Sequence, residues 1–242
     1  DIRPTHEYGA FGIYRLNLSV ENVGPGMFFY AETMIEVVNS PPKPVADVYQ
    51  DVVLTLTVDG RKGNTVGLRV YEDGALIHSI GALRTAGQPN TASIALKKYV
   101  GREYEVVLVY DATHSGSNPV SLEFSSGGTE LTFFKEFNTR DGYGQVVTVP
   151  PSYLEDVSEK NPLYRFDASE SYDIDGEVVS YLWEFGDGTT SSEPVAEHRY
   201  CRNGVYVVRL TVTDNDGLVT TVEHVITITA FRPPPRRYVP YC

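Results

Sequence analysis

From Tyr14 to Glu21 apolar and polar residues alternate without a break: Tyr14, Leu16, Leu18 and Val20 are apolar, and Arg15, Asn17, Ser19 and Glu21 between them are polar. A period of two sends successive side chains to opposite faces, so this segment reads as a strand with one face to bury. The rhythm recurs along the first half. Phe29 to Val37, Val52 to Val58, Val66 to Val70, Leu76 to Leu83, Tyr104 to Tyr110, Val120 to Phe124 and Leu131 to Phe133 each carry it. Asp59-Gly60 and Asp73-Gly74 punctuate it as hairpin turns. Thr91 to Tyr99 accommodates either a strand or a short helical turn ended by Gly101. Short strands at this spacing predict a β-sandwich rather than alternating strands and helices, with about eight or nine strands before residue 140.

The 242 residues leave room for two cores, at roughly 100–150 residues each. Proline cannot donate to a ladder, so Ser40-Pro41-Pro42-Lys43-Pro44 marks a boundary. The expected organisation is an N-terminal strand segment over 1–40, a sandwich over 41–142, a second sandwich over 143–230 and a Pro/Arg tail over 231–242. Residues 1–40 can pair within the first sandwich or reach another subunit.

The second half carries four blocks in order: Phe166-Asp167-Ala168-Ser169-Glu170-Ser171-Tyr172-Asp173-Ile174-Asp175-Gly176, Tyr181-Leu182-Trp183-Glu184-Phe185-Gly186-Asp187-Gly188, His198-Arg199-Tyr200, and Gly204-Val205-Tyr206 leading to Leu210-Thr211-Val212-Thr213-Asp214. Together they resemble a PKD domain, an immunoglobulin-like sandwich. The residues before 140 show no such likeness. The chemistry agrees with the resemblance: Trp183 and Phe185 alternate with Glu184 and can fill the space between two sheets. Gly186-Asp187-Gly188 supplies a sharp turn. Tyr200 and Tyr206 are candidate core tyrosines whose hydroxyls reach the backbone. The fold class is therefore all-β, two tandem β-sandwiches with the second PKD-like. PKD domains are non-catalytic modules of secreted and cell-surface proteins, so the resemblance implies an extracellular interaction role.

A net charge of −12 and the lack of a basic face exclude a nucleic-acid partner. No apolar run is long enough for a membrane span. The Asp1 start, with no basic and apolar leader, fits a mature secreted chain. There is no Gly-x-Ser-x-Gly elbow, neither cysteine has a protease signature, and His6, His78, His114, His198 and His224 are scattered. No catalytic constellation is expected, and the many acids read as solvated surface charge.

Metal chemistry has more to offer. Asp173-Ile174-Asp175-Gly176 and Asp214-Asn215-Asp216-Gly217 each set two carboxylates on a tight turn. Ca²⁺ is a hard cation that takes six to eight oxygens. Calcium also binds near the first acidic turn in some PKD domains. The expected ligands are Asp173, Asp175 and Asp214, and the competing reading is two plain Asp/Gly hairpin turns. Asn17-Leu18-Ser19 is a glycosylation sequon. Cys201 and Cys242 make one disulfide outside the cell or two free thiols inside; a bridge would pin the tail.

These features describe a structural subunit of an extracellular filament or surface layer, with the chain as its own partner through the N-terminal strand. The alternative is a non-catalytic adhesion or carbohydrate-binding module that meets glycans or neighbouring surface proteins. Tyr172, Tyr238 and Tyr241 are its candidate contact aromatics.

Overall fold

A computed structural model describes residues 12–20, 29–59, 63–84, 88–112, 115–138, 144–159 and 163–229. The first half supplies β1 (Gly12–Val20), β2 (Phe29–Val37), β3 (Asp47–Val58), β4 (Thr65–Glu72), β5 (Ala75–Arg84), β6 (Asn90–Tyr99), β7 (Tyr104–Asp111), β8 (Ser117–Ser126) and β9 (Thr129–Asn138). After it come β10 (Gln145–Val149), α1 (Ser152–Glu159), β11 (Leu163–Asp167), β12 (Val178–Glu184), β13 (Thr190–Ser191), β14 (Val195–Arg199), β15 (Gly204–Asp214) and β16 (Val219–Ile228). The ambiguous stretch from Thr91 resolves to a full strand, β6, because Ile94 and Leu96 enter the core at a spacing of two. The turn at Asp73-Gly74 joins β4 to β5 with both residues at positive φ, 49° and 80°, the conformation of a tight hairpin.

β1 pairs along its whole length with β2, so that Tyr14 stands opposite Ile35, Leu16 opposite Thr33, Leu18 opposite Ala31 and Val20 opposite Phe29. No other described strand joins this two-stranded sheet. The N-terminal strand is thus half of a hairpin within the chain, a pairing beside the two expected for it, with the first sandwich or with another subunit. Asn17 stands opposite Glu32 in it, and its side chain lies outside the described ones.

The rest is organised around β3. In one sheet β3 is flanked by β6 along one edge; the other edge meets β8 over Val53–Val58 and β11 over Asp47–Tyr49. β9 and β14 extend that sheet at its two ends. A second sheet, in the order β10-β7-β4-β5, closes the first core, and a third, β13-β12-β15-β16, belongs to the second. The even-numbered residues of β3 serve both. Val48 lies in the core with Phe166 and Trp183, while Val52, Leu54, Leu56 and Val58 lie in the core with Leu68, Leu108 and Phe124.

Position 50, between the two cores, is a buried glutamine. Its Nε2 donates to the Ser158 carbonyl at 3.0 Å and toward the Leu163 carbonyl at 3.4 Å, tying β3 to the end of α1 and the start of β11. Leu154 and Val157 of α1 and Val149 of β10 pack in the first core.

This corrects the expected order of two sandwiches end to end. Residues 43–49 belong with the second module, residues 145–157 with the first, and the first sandwich is nested inside the second. The physical reason is that β3 is long enough to cross from one core to the other. Proline breaks and alternation mark where strands lie but not which strands they join.

Candidate cation site

The second module packs an aromatic core. Phe166 meets Trp183 edge-on, with centroids 5.4 Å apart, and lies 4.9 Å from Phe185. Tyr200 is buried and donates its hydroxyl to the Phe185 carbonyl at 2.9 Å, and Tyr206 donates to the Arg202 carbonyl at 2.8 Å. Burial raises the Tyr200 pKa further above the ordinary range, so the phenol stays a donor.

The Gly186-Asp187-Gly188 turn follows Phe185. Gly186 has φ 83°, and a Cβ there would stand 2.7 Å from the Val207 carbonyl oxygen, so only glycine fits. Asp187 Oδ1 accepts from the Thr189 amide and hydroxyl, and its Oδ2 lies 2.8 Å from His198 Nε2. The His198 ring stacks on Phe185 at 4.3 Å. These three polar groups differ from a catalytic triad in one decisive respect. The hydroxyl bonds the carboxylate and not the imidazole, so nothing activates it. The cluster caps the turn.

At the opposite end of the module, β12 begins and β15 ends beside the loop from Ser171 to Glu177. Asp214 is 1% exposed. Its Oδ1 accepts from the amides of Asp216 and Leu218, which closes the β15–β16 turn, while its buried Oδ2 has no partner. Asn215 faces Asp173: Asn215 Oδ1 accepts from the Glu177 amide at 2.7 Å, and Gly176 lies against both side chains so closely that a Cβ would collide with them. Both carboxylate oxygens of Asp173 are buried; the Ile174 and Asp175 amides lie near enough to favour its ionised form, but no donor meets them in good hydrogen-bond geometry. Loss of hydration, and then repulsion from Asp175, raises the Asp173 pKa above its ordinary value.

A segment remote in sequence completes the cluster. The Ser40 amide donates to Asp175 Oδ2 at 3.0 Å, and next to it Asn39 Oδ1 is buried with no partner. Lys43 and Tyr172 exchange two backbone hydrogen bonds, and the Val45 amide donates to Ser171 Oγ. The strap before β3 is therefore laid along the acidic loop.

The structure brings Asp173 and Asp175 together and sets Asp214 on the adjoining turn. No group of three or more His, Cys, Asp or Glu side chains converges into a metal cluster among the described residues. Buried side-chain oxygens without a hydrogen-bond partner occur on Asp173, on Asp214 and, in the strap, on Asn39. Hard oxygen donors with no nitrogen or sulfur among them suit Ca²⁺ and not zinc. An orphaned buried carboxylate oxygen is costly unless something neutralises it. In donor chemistry, though not as a converged group, these oxygens are of the kind a hard divalent cation takes. Asn39 and Ser40 were missed from sequence, because they stand 135 positions or so before Asp175 with no acidic neighbour to mark them.

Among the other expected sites, Cys201 carries no free thiol and is disulfide-bonded. Cys242 lies outside the described residues, as do Tyr238 and Tyr241. Tyr172 is more than half exposed.

The PKD domain family profile matches residues 154–230. This part of the chain is a PKD domain. Its relatives include collagenase ColA of Clostridium perfringens, 47% identical over 69 residues, which are 28% of this chain and 6% of that protein. The pre-pro-metalloprotease PrtV of Vibrio cholerae serotype O1 is 47% identical over 58 residues, 24% of this chain and 6% of that protein. The crystal structure of the PKD1 domain from Vibrio cholerae PrtV aligns at 40% identity over 28% of this chain and 83% of that one, with a TM-score of 0.27. The chain thus spans a small fraction of the curated relatives it matches, and the likeness is to the PKD domain alone. Its profile begins within α1, while the fold adds the strap and the start of β3 to the same module. No described helix is long and apolar enough to cross a membrane.

Proposed function

We propose that this chain is a non-catalytic adhesion or carbohydrate-binding part of a secreted protein, with calcium as the cofactor that organises its PKD domain. The observation that carries this reading is that the chain matches proteins named as collagenases and a metalloprotease over one short module. In this reading the module serves to place the protein that carries it on a substrate or surface. The residues give the same direction: the polar cluster at Asp187 and His198 is arranged to hold a turn and not to attack a substrate.

Calcium would be held by Asp173, Asp175 and Asp214, the three acids anticipated from the two turns. When bound it supplies positive charge to carboxylates that otherwise repel each other. Asp214 Oδ1 keeps its two backbone donors, and Ser40 holds Asp175 in place.

The test is co-sedimentation of the full chain with insoluble polysaccharides and collagen, alongside turnover assays on the same materials. Retention without turnover supports the proposal; turnover abolished by one acid or serine substitution overturns it. A second reading has one observation in its favour. The β1–β2 sheet is joined by no other described strand, which leaves outer edges open to a strand of a neighbouring subunit, as a filament built by strand addition needs. Sedimentation velocity separates the two: reversible growth with concentration supports assembly, and a monomer at every concentration removes it.

A further inference from the structure

The nested sandwich is not closed on one side. β5 ends one of its sheets, and no described strand pairs with the outer edge of β6 in the other. These two edge strands are neighbours in space. No residue of β5 is fully buried, whereas β4 beside it sends Val66, Leu68 and Val70 into the core. His78 stands opposite Val70 in the register and yet is exposed, and Ile77 lies at a register shift next to it. A mainly apolar groove of about 580 Å³ opens at this seam, along Val52, Val53, Ile77, His78, Ala95 and Leu96. Asp51 and Glu72 also border it, bonded to Arg165 and Arg102, while the Lys97 ammonium lies over the Tyr49 ring and forms no ion pair among the described residues.

The β1–β2 hairpin has the converse lack. By register Tyr14, Leu16 and Leu18 share one face with Ile35, Thr33 and Ala31. Ile35 is exposed, and neither described core contains a residue of β1 or β2. A two-stranded sheet with an uncovered apolar face is marginal alone. We propose that the groove between β5 and β6 is the acceptor for the β1–β2 hairpin of a second copy of this chain, which pairs along the free edge of β5 and turns its apolar face into the groove. This rests on the strand-addition reading above and names its acceptor. The lengths agree, ten residues in β5 against nine in each hairpin strand. The charges agree as well. Arg15 and Glu32 of the hairpin pair with each other, which leaves the acid Glu36 for a groove whose unpaired charge is Lys97. Reach favours a second copy over the chain's own hairpin. From Ser40, bonded to the PKD loop, to Asp51 at the groove is roughly 35 Å of extended chain, and a nine-residue hairpin spans roughly 30 Å. The chain's own hairpin would have to fold straight back along the strap to bring even its tip near the groove. Such a contact is head-to-tail, so each added copy presents a new groove.

The experiment uses the full chain and two variants, Ile77→Asp in the groove and Ile35→Asp on the hairpin face. Both positions are 37% exposed, so the fold should survive, and circular dichroism with thermal unfolding checks that it does. In sedimentation velocity wild type should grow with concentration. Each variant alone should need at least about tenfold more chain for the same growth, because a charge is placed in an apolar contact. Mixed, the two should form a one-to-one dimer and stop, since one keeps its hairpin and the other its groove. A photocrosslinker at position 78 needs neither variant. In a mixture of light and heavy-isotope chains it should capture residues 12–37 of the other isotope. If wild type assembles but the mixed variants stay apart, or Ile77→Asp assembles as wild type does, the groove is not the acceptor and strand addition elsewhere stands. Crosslinks confined to the hairpin of the same chain, or reaching no hairpin, also overturn the proposal. If wild type is a monomer at every concentration, the strand-addition reading itself fails and the acceptor with it.

Discussion

The Gln50 amide reaches the Ser158 carbonyl at 3.0 Å across 108 positions of sequence, at the place where β3 leaves one core and enters the other. Replacing Gln50 with Ala would leave the carbonyls of Ser158 and Leu163 without this donor. Leaving buried polar groups unmet costs about 1–3 kcal/mol. Urea denaturation should show that loss, and Gln50→Leu should not recover it, since the defect is a missing donor and not missing volume.

Calcium should raise the melting temperature and a chelator should lower it, with Asp173→Ala and Asp214→Ala abolishing the difference. The pH dependence follows from Asp173. Its folded pKa lies above the unfolded value when only protein groups surround it. In chelator, its contribution is therefore favourable below the unfolded pKa and is lost as pH rises through the folded one. Calcium reverses this by preferring the carboxylate. The calcium-dependent gain in melting temperature should vanish as pH falls into the ordinary carboxylate range and grow as pH rises out of it.

Gly186→Ala should destabilise the PKD domain. Its φ of 83° is disfavoured for residues with a Cβ, and the added carbon would collide with the Val207 backbone. Strain of this kind costs about 1–3 kcal/mol before the collision is relieved. Gly188 also has positive φ, yet nothing lies within 4 Å of its Cβ position, so Gly188→Ala should cost less. Thermal unfolding of the two variants side by side checks the ranking.

Asp187 has the opposite pH signature to Asp173. Burial opposes its ionisation, but hydrogen bonds from the Thr189 hydroxyl and amide and from His198 outweigh that, and its pKa is lowered. A depressed carboxylate stabilises above its unfolded pKa, and the contribution is lost as pH falls through the folded value. Asp187→Asn should therefore flatten the acid limb of the stability curve below the ordinary carboxylate pKa. Titration of melting temperature against pH in wild type and variant reads this directly.

Thiol labelling of denatured, unreduced protein should detect no free cysteine. If the partner of Cys201 is Cys242, as the presence of two cysteines in the sequence suggests, the closed loop should contribute roughly 4 kcal/mol in the chain-entropy picture. Peptide mapping of the unreduced chain identifies the pair.

The PKD core was legible because its residues are close in sequence and chemically distinctive. Trp183, Phe185 and Tyr200 announce an aromatic core, and Gly186 announces its turn. Alternation also placed most strands of the nested sandwich. It could not show that Val48 and Val52, two residues on one face of one strand, belong to different cores, since the core around Val48 is built from residues more than a hundred positions away. The same distance hid Asn39. An asparagine before two prolines looks like a linker until the loop at Asp173 is folded against it. α1 was absorbed into the expected second sandwich, because eight residues are too few for helical periodicity to stand out.

The nesting also sets an order of events during synthesis. The strap and the start of β3 emerge first but must wait for β11; the salt-bridged Asp51 and Arg165 are 114 positions apart. Every strand of the sandwich between them is made before β11 leaves the ribosome. Closing the sandwich brings its two ends together at Gln50, which shortens the effective loop that the PKD domain must close. Core substitutions in the nested sandwich, such as Leu56→Ala, should then delay the appearance of a folded PKD domain they never touch.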